Sequence, residues 1–168
     1  MIKTSITIKD DKKLWNALVR QVKKTSSPNG NAVEIGLFQE QGRDLVDYAA
    51  YNEFGVPEKN IPERRFMRLT FDEWANAMYR KLEDNILPVL LERFPKQKLL
   101  NQTGTFMTKA MKRKIRSSRS WAAKNAPSTI ANKGKGKPPL IDTRRMVNSI
   151  THRITKDSKE QSIRSMGL

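Results

Sequence analysis

His152 is the only histidine in the chain, and it is the first side chain to test for acid–base or nucleophilic chemistry. A nucleophile–base pair needs a serine or threonine beside the imidazole and an acid that orients the ring. Asp157 is the only acid near His152 along the chain, and no serine has the flanking glycines of a nucleophile elbow. The sequence therefore predicts that His152 is an exposed or hydrogen-bonded strand residue and that the protein is not an enzyme.

Thiols and carboxylates, the groups that support metal chemistry, are absent or poorly placed. The chain has no cysteine, which excludes disulfides and thiolate metal sites. The acidic pairs Asp72-Glu73 and Glu83-Asp84 lie in a helical pattern with many Lys and Arg residues, so we expect them to be solvated or paired. A two-metal nuclease needs a cluster of acids, whereas the C-terminal half has only Asp142, Asp157 and Glu160. We expect no metal, no cofactor and no nuclease activity.

The net charge of +16 is concentrated in one half of the chain. Residues 1–94 contain 15 Lys and Arg against 14 Asp and Glu, whereas residues 95–168 contain 18 against 3. This imbalance predicts an acidic partner, and both nucleic acid and an acidic protein surface stay open. No helix-turn-helix, zinc-finger or RNP signature is present, so sequence-specific recognition is not expected. The candidate contacts to DNA or to an acidic surface are Lys109, Lys112, Arg113, Arg116 and Arg119.

A second basic segment combines lysines with glycines and ends in Pro138-Pro139. It is not a phosphate-binding P-loop, because it lacks the wider glycine spacing and the Ser or Thr that follows the lysine in that motif. The segment predicts a flexible basic loop over about residues 120–139, which we expect to order on docking. Its lysines are Lys133, Lys135 and Lys137.

The elements that position these residues follow from the spacing of apolar side chains. Alternation predicts strands at residues 2–8, 33–37 and 150–154. Three- and four-residue spacing predicts helices at residues 11–22, 44–54, 63–94 and 98–118. Gly55 is expected to cap the second helix, Pro88 to kink or restart the third near Ile86, and a short helix to begin at residues 141–143.

The resulting fold class is α+β, with a short, mostly antiparallel sheet flanked by several helices. We expect one domain over residues 1–156 and a polar C-terminal tail over residues 157–168. The longest apolar run, residues 86–91, is much shorter than the ~20 residues of a membrane-spanning helix. No membrane partner is therefore expected.

Three stretches, taken together and in this order, resemble a known protein family. The first reads DYAAYNEFG over residues 47–55, and the second reads IPERRFMR over residues 61–68. The third extends over residues 126–150 and includes APSTI, KGK and PLIDTRRMVNSI. In combination they are similar to the tailed-phage neck and tail-completion proteins, also described as minor tail components or head–tail joining proteins.

The resemblance implies a structural virion subunit, assembled in the host cytoplasm, that forms a homo-oligomeric ring at the head–tail junction. Its implied partners are the adjacent head–tail connector and tail proteins. DNA passes through such rings, so a non-specific DNA contact in the channel is implied as well. The alternatives are a tail terminator or capsid-side connector and, outside this class, a non-specific nucleic-acid-binding protein.

Two groups of basic residues in these stretches are candidate assembly contacts. Arg64, Arg65 and Arg68 follow Pro62 at an expected helix start, where cations are slightly unfavourable. That cost leads to the hypothesis that these arginines serve acidic partners. The other candidates in the third stretch are Lys133, Lys135, Lys137, Arg144 and Arg145.

Overall fold

The structure is a computed structural model, and it describes Asn16, Val19, Arg20, residues 31–134 and residues 136–156. Asn16, Val19 and Arg20 are helical, in agreement with the helix predicted over residues 11–22. The rest of that helix lies outside the described residues. So do the strand predicted at residues 2–8, Lys135 of the basic loop, and the tail at residues 157–168.

The described part of the chain has an α+β fold, as the sequence predicts. Its strands are β1 (Asn31–Gly36) and β2 (Thr151–Lys156). Its helices are α1 (Arg43–Phe54), α2 (Phe66–Leu90), α3 (Lys96–Arg116), α4 (Ser118–Trp121), α5 (Pro127–Lys133) and α6 (Arg145–Ser149). Two short 3-10 helices, Gln39–Gln41 and Pro57–Lys59, connect the first elements.

The sheet joins two ends of the described chain. β1 and β2 are antiparallel, with Val33 opposite Ile154 and Ile35 opposite His152. Side chains reinforce this register, because Arg153 Nε donates to Glu34 Oε2 at 2.6 Å across the sheet. The predicted strands at residues 33–37 and 150–154 are confirmed, each with its observed limits within two residues of those predicted.

α3 is the central helix, and it packs against α2 on one side and the sheet on another. Its inner face is apolar or small, and it is completely buried: Leu99, Thr103, Gly104, Met107, Ala110, Met111 and Ile115. Gly104 allows β2 to approach closely, since a Cβ at this position would lie 2.2 Å from His152 Cδ2. His152 is thus a half-buried strand residue whose ring packs on α3.

The main core lies where α1, α3, α6 and the start of α2 meet. Phe66, Met111 and Ile115 have no exposed surface, and Leu140 and Ile150 close the cluster from the C-terminal segment. Helical spacing in the sequence predicts Leu45, Tyr48, Ala49 and Asn52 on the inner face of α1, and Leu45, Ala49 and Asn52 are buried there. Tyr48 is instead 37% exposed, and Glu53 is buried.

α2 differs from its predicted form at both ends. It begins at Phe66 rather than near Glu63, and the Arg64 N–H donates to Asn52 O at 2.6 Å, so this N–H is bonded to the last turn of α1. It also continues through Pro88 to Leu90, so the expected restart near Ile86 is wrong. A proline this close to the helix end removes only the bond to the carbonyl of Asp84, an exposed residue that water can reach.

The segment after α3, where a loop was expected over about residues 120–139, contains two short helices, α4 and α5. Pro127 occupies the first turn of α5, where its missing N–H costs nothing and its fixed φ favours the helix. Gly134, with φ +86°, ends that helix. The expectation of a loop over the whole of residues 120–139 is therefore wrong for Ser120 and Trp121 of α4 and for α5, whose proline was the sequence signal.

Candidate functional site

Arg64 connects the first two resembling stretches to the loop that leads into the third. The residue is 6% exposed, and its Nη1 donates to Asn52 Oδ1 at 2.8 Å. Nε donates to Ala123 O at 2.9 Å, while Nη2 donates to Asn125 Oδ1 at 3.1 Å and to Lys124 O at 3.3 Å. A guanidinium with this many internal acceptors presents almost no surface to a partner, so its role in this chain is to join segments.

Glu53 places a negative charge at the N-terminal end of α2, where the arginines by themselves would be unfavourable. It is 3% exposed, and its carboxylate accepts the N–H groups of Met67 at 2.8 Å and Arg68 at 3.1 Å. These are two of the N–H groups that a helix leaves free at its first turn. Arg68 Nε donates to the same carboxylate at 3.1 Å, and Arg68 Nη2 donates to Glu63 at 2.5 Å. The hydrogen bond that Arg68 donates to Glu53 is the main cause that raises the pKa of Arg68.

Arg65 is the one arginine of this group whose side chain is mainly turned outward. Its side chain is 55% exposed, and its Nε lies 3.8 Å from Glu63 Oε1. A contact between Arg65 and an acidic partner therefore remains a prediction, because its side chain is exposed. At Arg64 and Arg68 the cation already has acceptors within the chain.

A shallow pocket of about 280 Å³ brings together three predicted residues of the third stretch, Lys133, Arg144 and Arg145. Lys133 Nζ donates to Pro139 O at 3.2 Å and to the Tyr48 hydroxyl at 3.4 Å, which connects α5 to α1. The other lining residues are Asp44, Leu45, Leu140, Asp142, Thr143 and Met146.

One wall of this pocket is an ion pair with two hydrogen bonds. Arg145 Nη1 donates to Asp44 Oδ2 at 2.6 Å, and Nη2 donates to Oδ1 at 3.3 Å. The hydrogen bond from Arg145 is the main cause that lowers the pKa of Asp44. Because the folded-state pKa is lowered, this pair favours the fold above the ordinary Asp pKa, and the effect is lost as the pH falls through the lowered value.

The remaining predicted residues of this region have different surroundings. Lys137 Nζ lies 3.1 Å from Asp142 Oδ1, so Asp142 pairs with the loop. Thr143 Oγ1 accepts the Arg145 N–H at the start of α6. Arg144 is exposed and has φ +64°, an uncommon conformation for a residue with a side chain.

The outer face of α3 has cations and no acids. Its exposed residues are Gln97, Lys98, Asn101, Gln102, Thr105, Lys109, Arg113 and Arg116. Lys112 is half-buried and donates to Asn148 O at 3.3 Å, and Arg119 of α4 is exposed and donates to Gly136 O. The guanidinium of Arg113 lies 5.5 Å from the centroid of the Trp74 ring. None of the five predicted cations forms an ion pair with a carboxylate of the described residues.

The outer face of α2 is different, because apolar side chains form an exposed stripe along it. Phe71 is 41% exposed, Tyr79 is 55% exposed and Ile86 is 48% exposed. Half-buried Met78 and Leu82 lie between them at helical spacing. The spacing of apolar residues predicts the helix but does not identify this stripe, because α2 has apolar residues on more than one side.

Sequence reasoning also missed Glu53 and Asn52, which position Arg68 and Arg64. A weak signal existed, since a polar pair on the last turn of one helix precedes an arginine-rich helix start. Residue-type preferences give a glutamate such as Glu53 no burial, and they do not show that the buried Asn52 accepts from Arg64.

Comparison of the chain with known protein families, curated proteins and solved structures finds no significant match. Within the described residues, no group of three or more His, Cys, Asp and Glu side chains could hold a metal ion. None of the helices in that part of the chain combines the length and apolar character of a membrane span.

Proposed function

We propose that the chain is a structural virion protein of a tailed phage, a neck or tail-completion subunit that forms a ring at the head–tail junction. It acts by packing against copies of itself and against the adjacent connector and tail proteins, without catalysing a reaction. The observation that carries the proposal is the convergence of the three stretches that resemble this family.

The first two stretches are close in sequence and the third lies more than 50 residues further along the chain, but all three share contacts in space. Arg64 of the second stretch bonds to Asn52 of the first, and Lys133 of the third bonds to Tyr48 of the first. Arg68 of the second stretch pairs with Glu53 of the first. Residues that form one connected structural unit are expected to occur together in a family, which supports reading the three stretches as one signature.

The apolar stripe on α2 supports an assembly role. Isolated apolar residues are common on protein surfaces, but aligned aromatic and aliphatic residues mark surfaces that associate with other proteins. Phe71, Tyr79 and Ile86 lie on one helix that extends over 25 residues, long enough to cover an extended contact. In the proposed ring this stripe faces the neighbouring subunit.

The proposal is tested by disrupting the gene in the phage or prophage that encodes the chain. The expected result is DNA-filled heads and tails that do not join, visible by electron microscopy, with joining restored by the wild-type gene. Infectious particles that lack the chain, or substrate turnover by the purified chain, would contradict the proposal.

The role of the α2 stripe is tested by complementation with a double variant, Phe71→Gln with Ile86→Gln. This variant should fold but fail to restore joining. A control variant on the same helix, Asp72→Asn with Glu83→Gln, changes exposed polar residues and should restore it. The position of the chain in a reconstructed particle separates a neck ring from a tail terminator or a capsid-side connector.

A further inference from the structure

We propose that the outer face of α3 is a binding surface for the phosphate backbone of nucleic acid, recognised without regard to base sequence. The proposal goes beyond the function proposed above and is independent of it, since it rests on one helix and the charges that this helix displays.

The first observation is the composition of the exposed surface. α3 has seven Lys and Arg residues and no Asp or Glu. All eight of its exposed residues are cationic or neutral polar, so each can donate a hydrogen bond to an anion. A solvated helix of a mixed-charge protein normally has acids among its cations, as α2 does with Asp72, Glu73, Glu83 and Asp84.

The second observation is the geometry of the cations. Lys98, Lys109, Arg113 and Arg116 point to the same side of the helix, because their spacings place them within about a third of a turn of one another. Lys98 and Arg116 are separated by roughly 27 Å along the axis. A duplex presents on the order of eight phosphates per strand over that length.

The third observation is that these cations have no acidic partner within the described chain. Lys114 is the only member of α3 that forms an ion pair with a described carboxylate, Glu73. Lys98 and Arg113 instead lie over the rings of Phe94 and Trp74, at 5.3 and 5.5 Å from the ring centroids. Both residues are exposed beside these rings, so their N–H groups are available to an anion.

A groove beside α3 is also lined by lysines and neutral polar residues and contains no acidic residue. It is lined by Lys81 of α2 together with Pro95, Gln97, Lys98, Asn101, Gln102, Thr105, Phe106 and Lys109. No carboxylate lines it, and the side-chain amides provide further donors between the lysines.

The absence of exposed apolar residues on this face favours nucleic acid over an acidic protein as its partner. The centre of a protein–protein interface is depleted in charge and contains apolar or aromatic anchors. No exposed residue of α3 is apolar. Interfaces with nucleic acid are instead polar and strongly positive, and phosphate contacts come from Arg, Lys, Asn, Gln and Thr side chains.

The experiment measures binding of the full chain to a fluorescent 30-base-pair duplex of random sequence by anisotropy. With about four phosphate contacts, the affinity should fall on the order of 100-fold between 50 and 200 mM salt. A triple variant, Lys109→Gln with Arg113→Gln and Arg116→Gln, should bind at least roughly tenfold more weakly and show a salt slope smaller by about 2 to 3. These side chains are exposed, so the variant should keep the wild-type circular dichroism spectrum and Tm.

The matched control removes three exposed cations elsewhere, with Arg43→Gln, Lys59→Gln and Lys124→Gln. This control has the same net charge as the α3 variant and should bind DNA as the wild type does. Equal weakening in both variants would show that only net charge matters and would overturn the proposal. So would a wild-type chain that does not bind the duplex at 50 mM salt, or displacement of the DNA by polyglutamate at equal charge concentration. These measurements use the isolated chain, so they can fail while the head–tail joining experiment succeeds.

Discussion

Arg64 before α2 and the cations on α3 look alike in the sequence but have opposite surroundings in the structure. Arg64 is 6% exposed and bonds to side-chain and backbone oxygens of three neighbouring residues and Asn52. Lys109, Arg113 and Arg116 are exposed and have no ion pair with a described carboxylate. The difference teaches that a cation's role depends on whether the fold supplies its acceptors. Internal acceptors make it part of the fold, and their absence leaves it free for an external anion.

The largest effect should come from Arg64→Ala. Removing the guanidinium leaves the Asn52 and Asn125 side chains and two backbone carbonyls without their donor, so we expect a loss of about 3 kcal/mol in the free energy of unfolding. Urea denaturation followed by tryptophan fluorescence measures this loss. Arg64→Lys should lie between the alanine variant and the wild type, because an ammonium cannot reach acceptors on both sides. A loss below about 0.5 kcal/mol in Arg64→Ala would place Arg64 with the α3 cations instead.

Glu53→Gln should have the next largest effect. The amide keeps the shape of the carboxylate but loses its charge, which faces Arg68 and two N–H groups of the first turn of α2. We expect the free energy of unfolding to fall by about 2 kcal/mol in the same urea measurement. The exposed neighbour Glu58 provides the control, and Glu58→Gln should leave the unfolding free energy within about 0.5 kcal/mol of wild type.

Gly104→Ala should destabilise the packing of α3 against β2. Alanine favours a helix by up to about 1 kcal/mol over glycine, but here its Cβ would meet the His152 ring at 2.2 Å. Overpacking of this kind costs about 1–3 kcal/mol, so the net change should be a modest loss of stability. Combining Gly104→Ala with His152→Ala should restore part of it, because the clashing ring is gone. Absence of coupling in that double-mutant cycle would contradict the packing described above.

The smallest effect on stability should come from neutralising the α3 cations. Lys109→Gln, Arg113→Gln and Arg116→Gln should each change the free energy of unfolding by less than about 0.5 kcal/mol, because exposed side chains outside a network contribute little. Thermal unfolding of the single variants checks this. A large loss at any of them would show an internal role like that of Arg64 and would weaken the contrast between the two groups.

Local patterns predicted the elements well and their surroundings less well. Alternation at Val33 and Ile35 was sufficient to identify β1, and the spacing of Met107, Met111 and Ile115 was sufficient to identify α3 as a helix. The start of α2 was misplaced because a hydrogen bond from Arg64 to Asn52 decides it, and such a bond depends on a distant helix. α5 was missed although Pro127 is a local signal for a helix start.

The sequence by itself determined the α+β class, the charge asymmetry and the polar outer face of α3, because each follows from residue types and their periodicity. Only the tertiary structure decided which cations are used internally, that Glu53 is buried, and that Lys133, Arg144 and Arg145 line one pocket. The physical reason is the distance along the chain over which each kind of interaction acts. Helical and strand periodicity act over a few residues, whereas the acceptors of a buried cation come from segments about 60 residues away.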